Sequence, residues 1–265
     1  MPAYRIATLE KFKKEKSIVL SRSKAKRINA NLETARKRYE KSLFDSFPYS
    51  YFESFRITIF GSGLFEEQDS EYFHFVTHLT KKLGKEMQVD IVTGGGGGLM
   101  LAANEGLEQA KAELKREHKV IHCKNRGIRA DLPHELGRNE RLDIVQEYRN
   151  FSTRIEEFVR TSNGVYLAPG GIGTDLEASM FIQMKQRWKL EADFPILAHP
   201  FWKPIFEHEN KIMFDEQIKK GHTPFIAKDD LNIVHYTTDL DEIVKIFQKQ
   251  YKAWEALRKK VKWVK

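Results

Sequence analysis

The stretch that decides the fold is MQVDIVTGGGGGLMLAANEGL, residues 87–107. Its first part is an apolar, β-rich run that ends in five consecutive glycines, Gly94 to Gly98. Its second part has four apolar residues at helical spacing on one face: Leu99, Ala102, Ala103 and Leu107. A strand, a glycine turn and an amphipathic helix in direct succession are typical of one β/α unit of a parallel sheet.

The same succession recurs along the chain. Further strands are predicted in RITIFGSG (56–63), KVIHC (119–123), RLDIVQ (141–146), GVYLAPGG (164–171), FPILAHP (194–200) and LNIVHY (231–236). Helices are predicted over about 69–84, from Leu99 onward, over 151–161, from Gly173 to about 188, and at the end of the chain with Ile243, Phe247, Tyr251, Trp254 and Leu257 on one face. This alternation predicts an α/β fold with a doubly wound, mainly parallel sheet of the Rossmann-like kind, which binds ligands at the carboxyl ends of its strands.

Composition sets limits on the class of protein. The 265 residues include 41% hydrophobic residues and carry a net charge of +8, which is typical of a soluble globular chain. No run of about 18 apolar residues is present, and the first residues do not resemble a secretory signal, so we expect neither a membrane span nor secretion. The lone Cys123 is expected to be a buried structural thiol, which fits a cytoplasmic location.

The positive charge is concentrated at the start of the chain. Residues 1–50 contain 13 Lys plus Arg against 5 Asp plus Glu, and four apolar residues there have helical spacing: Leu32, Ala35, Tyr39 and Leu43. We therefore expect a basic helical arm over 1–50 and a single nucleotide-binding domain over 51–265. The arm could contact nucleic acid or another anionic surface. A solvated helix docked on the domain or on a partner subunit is the alternative, and the absence of a nucleic-acid motif favours it.

Three glycine-bearing turns follow predicted strands and make up the candidate ligand site. The first contains Gly61 and Ser62, the second is the five-glycine run, and the third is APGGIGTDLE, residues 168–177. Backbone N–H groups in such turns, at the start of a helix, suit a phosphate group. Tight turns without a ligand remain an alternative. In the third turn, Thr174 and Glu177 also have the spacing of a capping box, in which both side chains would only satisfy the helix start.

Four elements together resemble the LONELY GUY family of phosphoribohydrolases, which is also labelled lysine-decarboxylase-like. They are VTGGGGGLMLAANEG, LPHE (132–135), Arg154 in YRNFSTRIEEF, and APGGIGTDLE. They occur in the family's order, and the similarity covers about residues 56–250. The resemblance implies an enzyme that hydrolyses the N-glycosidic bond of a nucleoside 5′-monophosphate to a free base and ribose 5-phosphate.

The resemblance also implies roles for individual residues. Glu177 and Arg154 match the catalytic positions, where a carboxylate would stabilise the positive charge that develops on the ribose. The residues that match the phosphate- and nucleotide-binding turns are Gly61, Ser62, Gly95, Gly96, Gly97, Gly98, Met100, Pro169, Gly170, Gly171, Gly173 and Thr174. His134, Glu135 and Asp175 are further candidates. No metal site and no organic cofactor are expected, and a homodimer or an assembly of dimers is implied.

Three leucines depart from the family's pattern. Leu64 stands where typical members have an arginine, Leu101 stands in place of a glutamate, and Leu176 occupies the position before Glu177 that is often acidic. These departures keep two other functions open. One is a protein that binds or senses a nucleotide without turnover, and the other is nucleic-acid binding through the basic arm.

Overall fold

The fold is described by a computed structural model that covers residues 49–65, 70–130, 139–187, 189–191 and 193–259. The strands are β1 (Arg56–Phe60), β2 (Asp90–Thr93), β3 (Asn125–Ala130), β4 (Ile144–Tyr148), β5 (Gly164–Leu167), β6 (Ile196–Ala198) and β7 (His235–Tyr236). The helices are α1 (Tyr49–Glu53), α2 (Glu71–Met87), α3 (Gly98–Arg116), α4 (Phe151–Thr161), α5 (Ile172–Gln186), α6 (Lys203–Asn210), α7 (Glu216–Lys219) and α8 (Leu240–Arg258).

The strands form one seven-stranded sheet in the order β4-β3-β2-β1-β5-β6-β7, and all neighbouring strands are parallel. The chain builds the sheet outward from β1 to β4, returns to place β5 on the other side of β1, and then continues to β7. This is the doubly wound, Rossmann-like architecture that the alternation of strands and helices predicts. The order reverses between β1 and β5, which is where such sheets open a crevice for ligands.

Both faces of the sheet are covered, so the central strands are buried along their whole length. Every residue of β1, β2 and β5 is buried. Helices α2, α3 and α8 cover one face and contribute Val76, Leu107 and Phe247 to its core. Helices α4 and α5 cover the other face, with Phe158 and Phe181 against Phe60.

The third strand lies later in the chain than KVIHC predicts. Residues 119–122 are exposed coil, with Val120 at 69% exposure, and β3 is instead the segment NRGIRA. This segment has two arginines and therefore does not look like a buried strand. Asp90, on β2, accepts hydrogen bonds from the N–H of Lys124 and from Nε of Arg126, at 2.9 Å and 2.6 Å, and so holds the start of β3 beside β2.

The region after β6 also differs from expectation. LNIVHY was predicted as a strand, but residues Lys228–Asn232 form a 3-10 helix and only His235–Tyr236 pair with β6. Before it, α6 and α7 are joined by a π-helical segment, Lys211–Asp215, that the apolar pattern does not predict. The expected basic arm lies outside the described residues, apart from Tyr49 and Ser50 in α1.

Two smaller expectations can be compared with the structure. Cys123 is buried, as predicted, and burial raises the pKa of its thiol to about 11. No helix in the described parts of the chain is long and apolar enough to cross a membrane.

Replacing Asp90 by alanine should destabilise the protein by about 3 kcal/mol or more, because it leaves the largely buried Arg126 without its carboxylate. The free energy of unfolding in urea measures this loss. Asp241→Ala is the matched control, since Asp241 pairs with Lys82 while 88% exposed and should cost less than about 1 kcal/mol. Equal losses in the two variants would contradict the role given to Asp90.

Candidate functional site

The three predicted turns meet at the carboxyl edge of the sheet, at the switch point between β1 and β5. The N–H of Ser62 in the first turn donates to the carbonyl of Pro169 in the third, at 3.0 Å. The carbonyl of Ser62 accepts from the N–H of Leu99, directly after the second turn, at 2.9 Å. Segments that are far apart in the sequence are thus joined through the backbone of Ser62.

The second turn needs glycine for its shape. Gly95 and Gly98 have φ of +77° and +59°, in the left-handed region that side chains disfavour. At Gly98 there is also no room, because a Cβ would lie 2.3 Å from the carbonyl oxygen of Ser62. The first and second turns can therefore approach only because residue 98 has no side chain.

Hydrogen bonds orient the second turn so that its donors stay available. The carbonyl oxygens of Gly95 and Gly96 accept from Nε of Arg129 and Nδ2 of Asn139, at 3.2 Å and 3.3 Å. The N–H of Gly95 donates to Oγ1 of Thr93. Among the described residues, no hydrogen-bond partner is found for the N–H groups of Gly96 and Gly97. The turn thus offers backbone donors, which suits an anionic ligand.

A buried asparagine network supports this turn, and the sequence interpretation did not include it. Nδ2 of Asn139 donates to Oδ1 of Asn104 at 2.8 Å, and Nδ2 of Asn104 donates to Oδ1 of Asn125 at 2.9 Å. Asn104 could have been noticed, because it is a polar residue on the apolar face of a predicted helix. No pattern in the sequence indicates Asn125 or Asn139.

The third turn leads into α5 with an open helix start. The helix begins at Ile172 with Gly171 as its N-cap, and this glycine has no side chain that could cap the helix. Thr174 is inside the first turn of the helix, packed against Gly170, so the capping box with Glu177 is not formed. Apart from the adjacent residues and the backbone of the helix itself, no described atom lies within 4 Å of the position that a Cβ would take at Gly171 or Gly173, and both residues are exposed.

Arg154 and Glu177 form a buried ion pair beside these turns. Nη1 of Arg154 is 3.3 Å from Oε1 of Glu177, and both side chains are at most 10% exposed. Nε of Arg154 donates to the carbonyl of Ile128 at 2.9 Å. The guanidinium also lies over the rings of Phe151 and Phe158, 5.5 Å and 5.2 Å from their centroids. The arginine is therefore held in one orientation, with its charge directed at Glu177.

Burial changes the acidity of this glutamate. Desolvation raises the pKa of Glu177 to about 7, although the charge and hydrogen bond of Arg154 act in the opposite direction. A carboxyl group with this pKa can be either protonated or ionised near neutral pH. Shifts of this kind are common at functional sites.

Not every candidate residue joins this group. Oδ1 of Asp175 is buried and has no hydrogen-bond partner among the described residues, and its charge acts on Glu209 of α6. His134 and Glu135 lie outside the described residues. Of the three leucines that depart from the family's pattern, Leu64 and Leu176 are exposed and Leu101 is partly buried. Within the described part of the chain, no group of three or more His, Cys, Asp or Glu is arranged to hold a metal ion.

Comparisons with known proteins support the fold. Neither a protein-family model nor a curated protein matches the sequence. Among solved structures, a Moco carrier protein from Chlamydomonas reinhardtii is similar with a TM-score of 0.52 and 16% identity, over 76% of this chain and 99% of its own. The chain has a Rossmann-like fold. The structural-genomics target TM1055 is similar with a TM-score of 0.50 and 17% identity, over 74% of this chain and 99% of its own. Identities this low establish the shared fold alone.

The raised pKa of Glu177 predicts a dependence of stability on pH. The folded chain binds this proton more tightly than the unfolded chain, so the free energy of unfolding should fall as the pH rises from about 4.5 to about 7. Glu177→Gln removes this effect. Across that window, the free energy of unfolding of the variant should therefore rise by on the order of 3 kcal/mol relative to that of wild type. Urea unfolding between about pH 5 and about pH 8 measures the difference.

Glu156→Gln, at an exposed position of α4, is the control and should stay parallel to wild type. A constant difference between Glu177→Gln and wild type at all pH values would show that Glu177 titrates normally.

Proposed function

We propose that the protein hydrolyses the N-glycosidic bond of a nucleoside 5′-monophosphate and releases the free base and ribose 5-phosphate. The buried pair of Arg154 and Glu177, beside two turns that present backbone N–H groups, is the observation that supports this function best. It supplies both chemical requirements of the reaction, a carboxylate for the sugar and donors for the phosphate. The resemblance to the LONELY GUY family is consistent with this pairing.

The start of α5 is the proposed site for the 5′-phosphate. The N–H groups of Ile172, Gly173 and Thr174 form the first turn of a helix without a side-chain cap, so they have no partner within the helix. The positive end of the helix dipole adds to their attraction for an anion. The exposed Gly171 and Gly173 leave room for phosphate oxygens to approach the backbone.

Glu177 is proposed to act on the ribose. Cleavage of the glycosidic bond gives the sugar ring the character of an oxocarbenium ion, and a carboxylate stabilises that charge more in the transition state than in the ground state. Glu177 lies on the same helix, three residues after Thr174, which carries the last of the proposed phosphate donors. Arg154 would hold the carboxylate in place and keep it ionised when substrate is bound. Water is the co-substrate, and the reaction requires no organic cofactor.

The second turn would bind the remainder of the nucleotide. The N–H groups of Gly96 and Gly97 have no hydrogen-bond partner among the described residues, and in each planar peptide they point away from the carbonyl that Arg129 or Asn139 holds. Met100, which follows it, packs against this turn and would line the same space.

We also propose that residues 51–265 form one nucleotide-binding domain. We further propose that the protein forms a dimer, for which the half-exposed Phe151 on α4 offers an apolar contact.

Binding of a nucleotide without turnover is the second candidate function. The side chains of Leu64 and Leu176 are 93% and 46% exposed at the edge of the site, where the family has polar residues that could contact the sugar or the base. A carrier protein has the same fold, so the fold does not separate binding from turnover. Product release does separate them.

The purified protein should release free base and ribose 5-phosphate from at least one member of a panel of purine, pyrimidine and modified nucleoside 5′-monophosphates. Glu177→Gln should reduce kcat by at least about 100-fold, because it removes the negative charge that stabilises the transition state. Chromatography of the base and an assay for the sugar phosphate give both rates. Glu156→Gln should retain wild-type activity. Tight binding of one nucleotide, with no release from any, would support the second candidate instead.

The rate should depend on the ionisation of Glu177. Since the proposed role needs the carboxylate, kcat/KM should rise about tenfold per pH unit below about pH 7 and level off above it. Initial rates measured across this range at low substrate concentration test the expectation.

The substrate's own phosphate titrates near pH 6, so the profile of Glu177→Gln provides the control. Its residual activity should lack the step near pH 7 and keep any step caused by the phosphate. A step near pH 7 that persists in Glu177→Gln would assign the titration to another group.

A further inference from the structure

We infer that Gly94 is a positioning residue: by lacking a side chain, it leaves the space in which the Arg154 guanidinium reaches Glu177. A Cβ at residue 94 would lie 2.6 Å from Nη2 of Arg154 and 2.7 Å from Sδ of Met100. Both separations are shorter than the sum of the van der Waals radii, so the guanidinium and the thioether would have to move. Gly94 is not among the glycines that the family resemblance assigns to phosphate or nucleotide binding.

Backbone conformation does not explain the glycine at this position. Unlike Gly95 and Gly98, Gly94 does not have a positive φ. An alanine would therefore fit the backbone, and its effect would come from the space that its methyl group occupies. Space beside Gly94 is taken by two side-chain ends, and such ends can shift without unfolding the chain.

Of the two neighbours, Arg154 is the one that cannot move without consequence. Its guanidinium is fixed by the carbonyl of Ile128 and by the rings of Phe151 and Phe158. A displacement of Nη2 would therefore rotate or withdraw the whole planar group, and the 3.3 Å contact from Nη1 to Glu177 would lengthen. Met100 has a flexible side chain with several rotamers and can adapt.

The other glycines around Met100 separate the two contacts. A Cβ at Gly63 would lie 2.9 Å from Cε of Met100, and no other described atom beyond the adjacent residues is within 4 Å of it. Gly63 also lacks a positive φ. Gly63→Ala therefore displaces the methionine alone, whereas Gly94→Ala displaces the methionine and the arginine.

The acidity of Glu177 reports the position of the guanidinium. Arg154, on α4, is the charged side chain that lowers the pKa of Glu177, and the glycine turn packed on the other side of Arg154 carries no ionisable side chain. When an opposite charge moves away from a buried carboxyl group, the pKa of that group rises. A change in packing that leaves Arg154 in place would not have this effect.

The test is a pH titration of the Glu177 carboxyl carbon by NMR in protein labelled with 13C-glutamate, with the resonance identified by its loss in Glu177→Gln. Gly94→Ala should raise the pKa by about one unit or more above wild type. Gly63→Ala should leave it unchanged. An unchanged pKa in Gly94→Ala would overturn the inference, and so would the same rise in Gly63→Ala.

If Gly94→Ala does not fold, the double variant Gly94→Ala, Met100→Ala is titrated instead, with Met100→Ala alone as its reference. Removing the thioether gives the new methyl group room on one side and leaves the contact with Arg154. The double variant should show the rise and Met100→Ala should not, and the reverse pattern would overturn the inference.

The catalytic meaning of this positioning rests on the proposed function, but the titration uses no substrate. A raised pKa in a protein that hydrolyses no nucleotide would refute the hydrolase and leave the role of Gly94 intact. Hydrolysis by the wild type, with no change of pKa in Gly94→Ala, would refute the role of Gly94 alone.

Discussion

The backbone of Ser62 is the point at which the candidate site is assembled, because its N–H and its carbonyl each join the first turn to another segment. One hydrogen bond reaches the third turn at Pro169 and the other reaches the helix after the second turn at Leu99. Both are main-chain contacts at the place where the strand order reverses. The relative positions of the turns therefore depend on backbone geometry, and on Gly98 permitting that geometry, more than on any side chain.

The buried charges beside the three turns are the second feature that organises the candidate site. A buried ion pair contributes little to stability, since removing two charges from water offsets much of their attraction. Arg154 and Glu177 are nevertheless both buried, and burial leaves the glutamate with a pKa of about 7. The fold itself gains little from the pair, so in the proposed function the aromatic rings and the Ile128 carbonyl that hold the arginine would support a reactive carboxyl group.

Much of the architecture could be predicted because it is local. The glycine turns, α4 and the face of α3 follow from periodicity and from turn residues within short windows. The third strand was misplaced because Arg126 becomes acceptable in a sheet only through Asp90, a partner 36 residues away. The role of Asn139 likewise depends on contacts with Gly96 and Asn104 that no local pattern indicates. The resemblance points to Arg154 and Glu177 as catalytic positions, whereas spacing alone leaves Glu177 equally suited to a helix cap.

The two exposed glycines of the third turn are of a different kind from those in the second. Gly171 and Gly173 have no positive φ, and no described atom beyond the adjacent residues and the helix's own backbone lies within 4 Å of where their side chains would begin. Folding therefore places no demand on their size. If small residues are needed there, the need comes from whatever binds at the start of α5. A larger side chain at these positions would then be accepted by the folded chain and would still weaken binding. In a library of variants at the two sites, stability would follow only the N-cap and helix propensities of the new residues, whereas affinity would be graded by their size and would outline the shape of the bound molecule.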